Sequence, residues 1–353
     1  MLNFRLKGLP RFLLAVALLF PFSHLYAQSK QTSSGTLKIG FLMDSLKVER
    51  WQTDLDRFQK RAAELGADVL VETAEGDDEL QLRQAEKLLD SGVKALVLVP
   101  HDADKAVRIV RAAKAKQVPL LCYERLVRDP DVTFFIGVDA LTIGLLQADF
   151  LSQQAPKGNY VLIGGSPTDI NAKILHDGQM RVLKPFVDRG DIRIVSDTWS
   201  KDWDPSEAYA HMSEAIESSK GDITAVVASN DGTAGGAIQA LEDHKLAGKV
   251  LVSGQDADLA AIIRILEGTQ SMTVYKPLSS QAKLAAEAAV ALAKGGAVIR
   301  TTGAVSIGNK TIPAILLNPV VVTKDNVKQT VIKDGFQNLE TIQKSLPKEK
   351  WPH

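Results

Sequence analysis

Groups able to hold hydroxyls recur at the ends of short apolar runs: Asp44 through Arg50 and Trp51, Glu124-Arg125, Asp169 and Asn171, Trp203, Asn230-Asp231, Gln255-Asp256, and Lys276. Arginine forks, carboxylates and asparagine amides are planar and can each engage two neighbouring hydroxyls, which both donate and accept. The charged candidates are Arg50, Arg125 and Lys276 against Glu124 and Asp256, with Asp169 and Asp231 nearby. That near balance suits a neutral, hydroxyl-rich ring better than a phosphate or polyanion. Trp51 and Trp203 could pack on the two apolar faces of such a ring.

Taken singly, each residue also has a plainer structural reading. Trp51 fits the apolar stripe of a helix. Trp203 precedes Asp204-Pro205, with Glu207 at the third helical place, and so could be the hydrophobic residue outside a helix cap. Asn230-Asp231 and Asp256 could be caps, Lys276 a solvated lysine and Arg125 a surface ion-pair partner. Five independent caps, however, would not be expected to alternate with paired basic residues and tryptophans. Competing chemistries lack their motifs: there is no GxGxxG, GxSxG, GxxxxGK[ST] or HExxH pattern. His101-Asp102-Ala103-Asp104 reads as helix capping rather than metal ligation. Cys122, the single cysteine, lies inside an apolar run and reads as a buried thiol. No catalytic residue, metal or cofactor is implied.

These residues need strands to present them. LKIGFLM (37–43), ADVLVETA (67–74), VKALVLVP (93–100), VPLLCYE (118–124) and TFFIGVD (133–139) are nearly continuous in apolarity, as parallel strands buried on both faces are. Trp51, Leu55, Phe58, Ala62 and Leu65 step at helical spacing between the first two, with Gly66 as a stop, and a second helix is predicted around 77–91. The pattern restarts with GNYVLIGGS (158–166), DIRIVSDTW (191–199), DITAVVASND (222–231), GKVLVSGQD (248–256) and SMTVYKP (271–277), with a helical stretch at 260–268. The expectation is an α/β protein: two Rossmann-like, doubly wound parallel-sheet lobes of one topology joined by a three-strand hinge, with ligand caught at the carboxyl ends of the strands. The hinge strands are expected near Val138-Asp139, Lys276-Pro277 and 315–321. One lobe comprises 36–138 and 277–316, the other 139–276 and 317–345, followed by a tail over 346–353.

The chain has 353 residues, with 42 basic and 42 acidic side chains and 45% hydrophobic residues. Without a surplus or a long run of Lys/Arg, nucleic acid is disfavoured as a partner. Arg5, Lys7 and Arg11 precede the apolar run 12–22, and a small residue, Ala27, ends a stretch that reads as a cleaved secretory signal. Its removal would leave 39 basic against 42 acidic residues, a formal charge of −3.

The blocks VERWQTD (48–54), GGSPTDINAK (164–173), VVASNDGTAGGAIQAL (226–241), SGQDADLAAI (253–262) and MTVYKP (272–277) resemble the type I periplasmic binding proteins, and within them the pentose-binding branch that serves bacterial ATP-driven sugar importers. The likeness runs over residues 38 to 337. It implies a monomeric periplasmic protein that closes on a monosaccharide, D-xylose first among the candidates, and passes it to a membrane permease. It implies that Arg50, Arg125, Asn171, Asn230, Asp256 and Lys276 hydrogen-bond the sugar while Trp51 and Trp203 flank it. Two positions depart from the branch: Glu124 stands where an Asp precedes the arginine, and Ile170 where a second Asn is frequent. The extra methylene moves the carboxylate by roughly 1.5 Å, so Glu124 is a candidate for setting the sugar preference. The same architecture serves sugar-responsive repressors, but the secretion signal occupies the place of their DNA-binding helices. It also serves secreted sensors that present sugar to a membrane histidine kinase or chemoreceptor.

Overall fold

The computed structural model describes residues 36–47, 50–298 and 300–352. The expected leader over 1–27 lies outside them, as do Val48 and Glu49. The elements run β1 (Leu37–Met43), α1 (Arg50–Glu64), β2 (Ala67–Thr73), α2 (Asp78–Asp90), β3 (Ala95–Leu98), α3 (Val107–Ala115), β4 (Leu120–Tyr123) and β5 (Phe134–Val138). They continue through α4 (Ala140–Gln154), β6 (Gly158–Gly164), α5 (Ile170–Asp188), β7 (Ile192–Trp199), α6 (Pro205–Ser219), β8 (Ala225–Ala228), α7 (Asp231–Asp243), β9 (Leu251–Val252), α8 (Leu259–Glu267) and β10 (Thr273–Tyr275). The rest is α9 (Leu278–Ala293), β11 (Gly303–Ile307), β12 (Lys310–Leu317), β13 (Val320–Val322) and α10 (Leu339–Ser345).

The first sheet has the order β2-β1-β3-β4-β5-β12-β11, parallel except for the β11–β12 hairpin. Its strands are apolar on both sides because helices cover both sides. Phe58 of α1 and Ala285 of α9 pack on one face, Leu88 of α2 and Ile109 of α3 on the other. The second sheet has the order β7-β6-β8-β9, all parallel, with α6 and α7 on one face and α4 and α5 on the other. A parallel bridge from Gln255 to Val274 carries it on to β10, which pairs antiparallel with β13. Numbered from its own first strand, each half therefore repeats the order 2-1-3-4-5. The chain passes between the halves at 138–140, 276–278 and 317–320.

One predicted strand is much shorter than the sequence suggests. Of the run 248–256 only Leu251–Val252 are strand. Gly254 lies against the Asp231 carboxylate, and Asp256 and Ala257 take φ of 102° and 58°, which takes the chain out of the sheet.

Candidate functional site: a charged cleft between the two sheets

The carboxyl ends of β1, β4 and β5 face those of β6, β8 and β9 across a cavity with about 470 Å³ of empty space, part of it open to solvent. Its walls include Arg50, Trp51, Glu124, Arg125, Asn171, Trp203, Asn230, Asp256 and Lys276. The nine residues expected to hold or flank the ligand thus meet in one place, although they are spread over 227 positions of chain, and Asp169 and Gln255 join them, while Asp44 and Asp231 lie outside the lining. Val138, Ala140, Ile143 and Leu175 add an apolar side.

Sharp local turns aim the polar groups inward. After β4 the chain bends so tightly that Arg125 N–H reaches the Tyr123 carbonyl at 2.7 Å, while Glu124 N–H donates to Ile136 O at 2.7 Å. Glu124 takes φ 62°, Trp203 φ 60° and Asp256 φ 102°. Left-handed backbone at a non-glycine residue costs about 1–3 kcal/mol and persists only where the surroundings enforce it. Three such residues on one cavity point to a built site. Trp203 owes its seat to Gly165, where an added Cβ would lie 2.3 Å from the indole ring.

Two linked charge clusters line the floor. Glu124 Oε1 accepts from Arg50 Nη1 at 3.0 Å and Lys276 Nζ at 2.6 Å, and its Oε2 from Gln281 Nε2 at 2.8 Å. Lys276 Nζ is also 2.8 Å from Asp256 Oδ1, and Arg50 Nη2 is 2.7 Å from Asp54 Oδ2. Burial alone would push the Glu124 carboxyl up, but Arg50 and Lys276 override it and hold it well below the usual carboxylate range. In the second cluster Arg125 joins Asp44 at 2.7 Å to Asp169 at 2.7 Å, so this one guanidinium links the two halves. Burial pushes Asp169 up despite Arg125, whereas Asp44 is held down by His101 and Arg125 against the same effect. His101 is raised in turn by its hydrogen bond to Asp44, at 2.9 Å, and its other nitrogen is 4.0 Å from Asp202 on the opposite half.

Several plainer readings fail here. Lys276 and Arg125 are not surface groups, at 2% and 6% exposure. Asp256 caps no helix; α8 begins after Asp258. Asp231 is the first residue of α7, and its carboxylate is buried rather than capping. Asn230 does both jobs, closing a capping box with Thr233 while lining the cavity. Trp51 likewise belongs to the α1 core, edge-on to Tyr123, and to the cavity; its indole N–H has no partner among the described residues, and the Arg50 guanidinium lies 4.3 Å over its ring. The Trp203 N–H instead donates to Asp169 at 3.2 Å. Asn171 donates to the Glu124 carbonyl at 2.7 Å across the cleft, and Ile170 lines a separate groove with Leu126 and Ile174. Sequence reasoning missed Asp54, Gln281 and Gly165, and read His101 as part of a helix cap, whereas it pairs with Asp44 and α3 has no side-chain cap. Asp54 could have been found four residues after Arg50 on one helical face; the other two follow from tertiary placement only.

The chain matches the model of the periplasmic binding protein domain family over residues 39–297. It is 48% identical to the D-xylose-binding periplasmic protein of Escherichia coli (strain K12) over 300 residues, covering 85% of this chain and 91% of the relative. Identity to the D-xylose-binding periplasmic protein of Haemophilus influenzae is 45%, over 89% of this chain and 94% of that one. Among solved structures, a carbohydrate transporter solute-binding protein from Chloroflexus aurantiacus in complex with D-glucose superposes with a TM-score of 0.81 at 27% identity, covering 87% and 98% of the two chains.

Proposed function

The chain belongs to the periplasmic binding protein domain family, and from that premise we propose that it captures D-xylose in the periplasm and delivers it to the permease of an ATP-driven importer. Sugar engages one half through its hydrogen-bonding groups, and the second half then adds its own. Closure is favoured only by that differential contact, and the hinge is the three passages at 138–140, 276–278 and 317–320. In this reading Arg50, Arg125, Asn171, Asn230, Asp256 and Lys276 hold hydroxyls. Trp51 and Trp203 flank the ring, and Glu124 fixes the two cations beside it.

The observation that carries the reading is the convergence of forked donors, carboxylates and two indoles from both sheets on one small cavity. Its cations are already matched by buried carboxylates, so an incoming anion would find no unmatched positive charge, whereas a neutral polyol can exchange hydrogen bonds with both signs. The named relatives support the choice of pentose. The test is thermal unfolding against a panel of pentoses and hexoses. A ligand that binds only the folded state at a hundred times its Kd adds about 2.7 kcal/mol, so D-xylose should raise the midpoint more than any other member. A flat response to every sugar would overturn the reading.

A further inference from the structure

Asp231 is buried and does not line the cavity, yet it touches the loop that does. Its Oδ2 accepts from Asp258 N–H at 3.0 Å and from the Thr273 hydroxyl at 2.9 Å, and its Oδ1 from Gln270 Nε2 at 2.8 Å. Its own N–H donates to the Gln255 carbonyl at 2.9 Å. These bonds bracket Asp256 and Ala257, the two consecutive residues of positive φ. Gly254 closes the arrangement, because a Cβ there would lie 2.0 Å from Asp231 Oδ1. We propose that Asp231 is a positioning residue: its carboxylate holds the 254–258 loop in the strained turn that aims Asp256 at Lys276 and Arg50.

The partners favour a carboxylate. Gln270 cannot turn its amide, because its Oε1 accepts from Arg264 Nε at 3.0 Å. The Asp258 donor is a backbone N–H and has no other role to offer. An amide at residue 231 therefore sets a donor against a donor on one side or the other, whereas a protonated acid can still give its proton to the Thr273 hydroxyl but loses the charge that strengthens the other bonds. Among the described residues, the charged groups facing Asp231 are Arg264 of α8 together with Asp256 and Asp258 of the loop itself. Burial pushes its carboxyl up to about 7, with Arg264 opposing and Asp256 adding to the rise. Lowering the pH through neutrality thus weakens in the wild type the charge-assisted bonds that Asp231→Asn lacks at every pH.

The experiment compares wild type, Asp231→Asn and Thr273→Val, which removes the bridging hydroxyl at constant shape. Its sugar arm rests on the capture reading; its exchange arm does not. In the sugar-free protein, amide hydrogen exchange at 255–258 should quicken about tenfold or more in Asp231→Asn, with a smaller change of the same sign in Thr273→Val, while α4 and α5 keep wild-type protection. D-xylose affinity should fall about tenfold or more at about pH 8.5, and the gap from wild type should narrow toward about pH 5.5. Unchanged exchange at 255–258 in both variants would overturn the proposal, as would an affinity gap of the same size at every pH. If no sugar binds the wild type, the capture reading falls, and the exchange result alone then decides the role of Asp231. If Asp231→Asn does not fold, Thr273→Val decides it by exchange at 256 and 258 alone, because Ala257 N–H donates to the Thr273 hydroxyl at 3.3 Å and loses that acceptor in the variant whatever Asp231 does.

Discussion

Glu124 accepts from Arg50, Lys276 and Gln281, all of them buried. Removing one partner of a buried ion pair strands the others at a cost of about 3–5 kcal/mol, so Glu124→Gln should lower the urea midpoint at neutral pH by a corresponding amount. The pH dependence has a definite sign. The folded pKa lies below the ordinary value of 4.5, so the unfolded chain binds more protons in that interval. The stabilisation is full above 4.5 and is lost as the pH falls toward the folded value. Asp54 and Asp169, both raised by burial, slope the other way, but they are common to both proteins. The difference between wild type and Glu124→Gln across about pH 3–7 therefore reports Glu124 together with its contribution to the rise at Asp54; a constant difference would contradict its ion-paired state. Such charged residues were legible in sequence because a carboxylate or guanidinium at a strand end is conspicuous. Their partners were not. Gln281 lies 157 positions from Glu124, and no local spacing joins them.

At the scale of elements, the alternation of apolar runs with helical periods was enough to read ten strands, since a parallel strand buried on both faces has few alternatives in composition. The β11–β12 hairpin escaped that reading because it lies at a sheet edge, with burial that alternates rather than runs continuous. The buried amides of α4 and α5 also escaped it. Gln147 sends one Nε2 toward the carbonyls of Ala228 at 3.3 Å, Ser229 at 3.1 Å and Gly254 at 2.9 Å, and accepts from Gln179 at 2.9 Å. It thereby ties α4 to the chain just before Asn230 and Asp256. Gln147→Leu removes the partner of the Ser229 carbonyl and of the Gln179 amide, each at a cost of about 1–3 kcal/mol, while the Ala228 carbonyl keeps the Ser253 hydroxyl at 3.0 Å and the Gly254 carbonyl keeps Val274 N–H at 3.0 Å. Chemical denaturation should show a stability loss of that order, and D-xylose titration a weaker affinity. Wild-type stability would mean that these two groups find other partners.

For the molecule as a whole, the two halves share a strand order, and each brings to the cleft what the other lacks. The first supplies Arg50, Trp51, Glu124 and Arg125, the second Asn171, Trp203, Asn230 and Asp256, and Lys276 sits in a passage between them. Contacts already cross the gap, from Arg125 to Asp169 and from Asn171 to the Glu124 carbonyl, so closure can be driven by a ligand that adds only a few hydrogen bonds. Neither half presents the complete set, and an affinity that depends on both must fall when either is impaired. Calorimetric titration of the purified protein with D-xylose, beside Arg125→Ala and Asp256→Ala, tests this most directly. One saturable site per chain is expected in the wild type, with each variant losing about a hundredfold in affinity. Absence of heat with D-xylose, or wild-type affinity in both variants, would contradict the account.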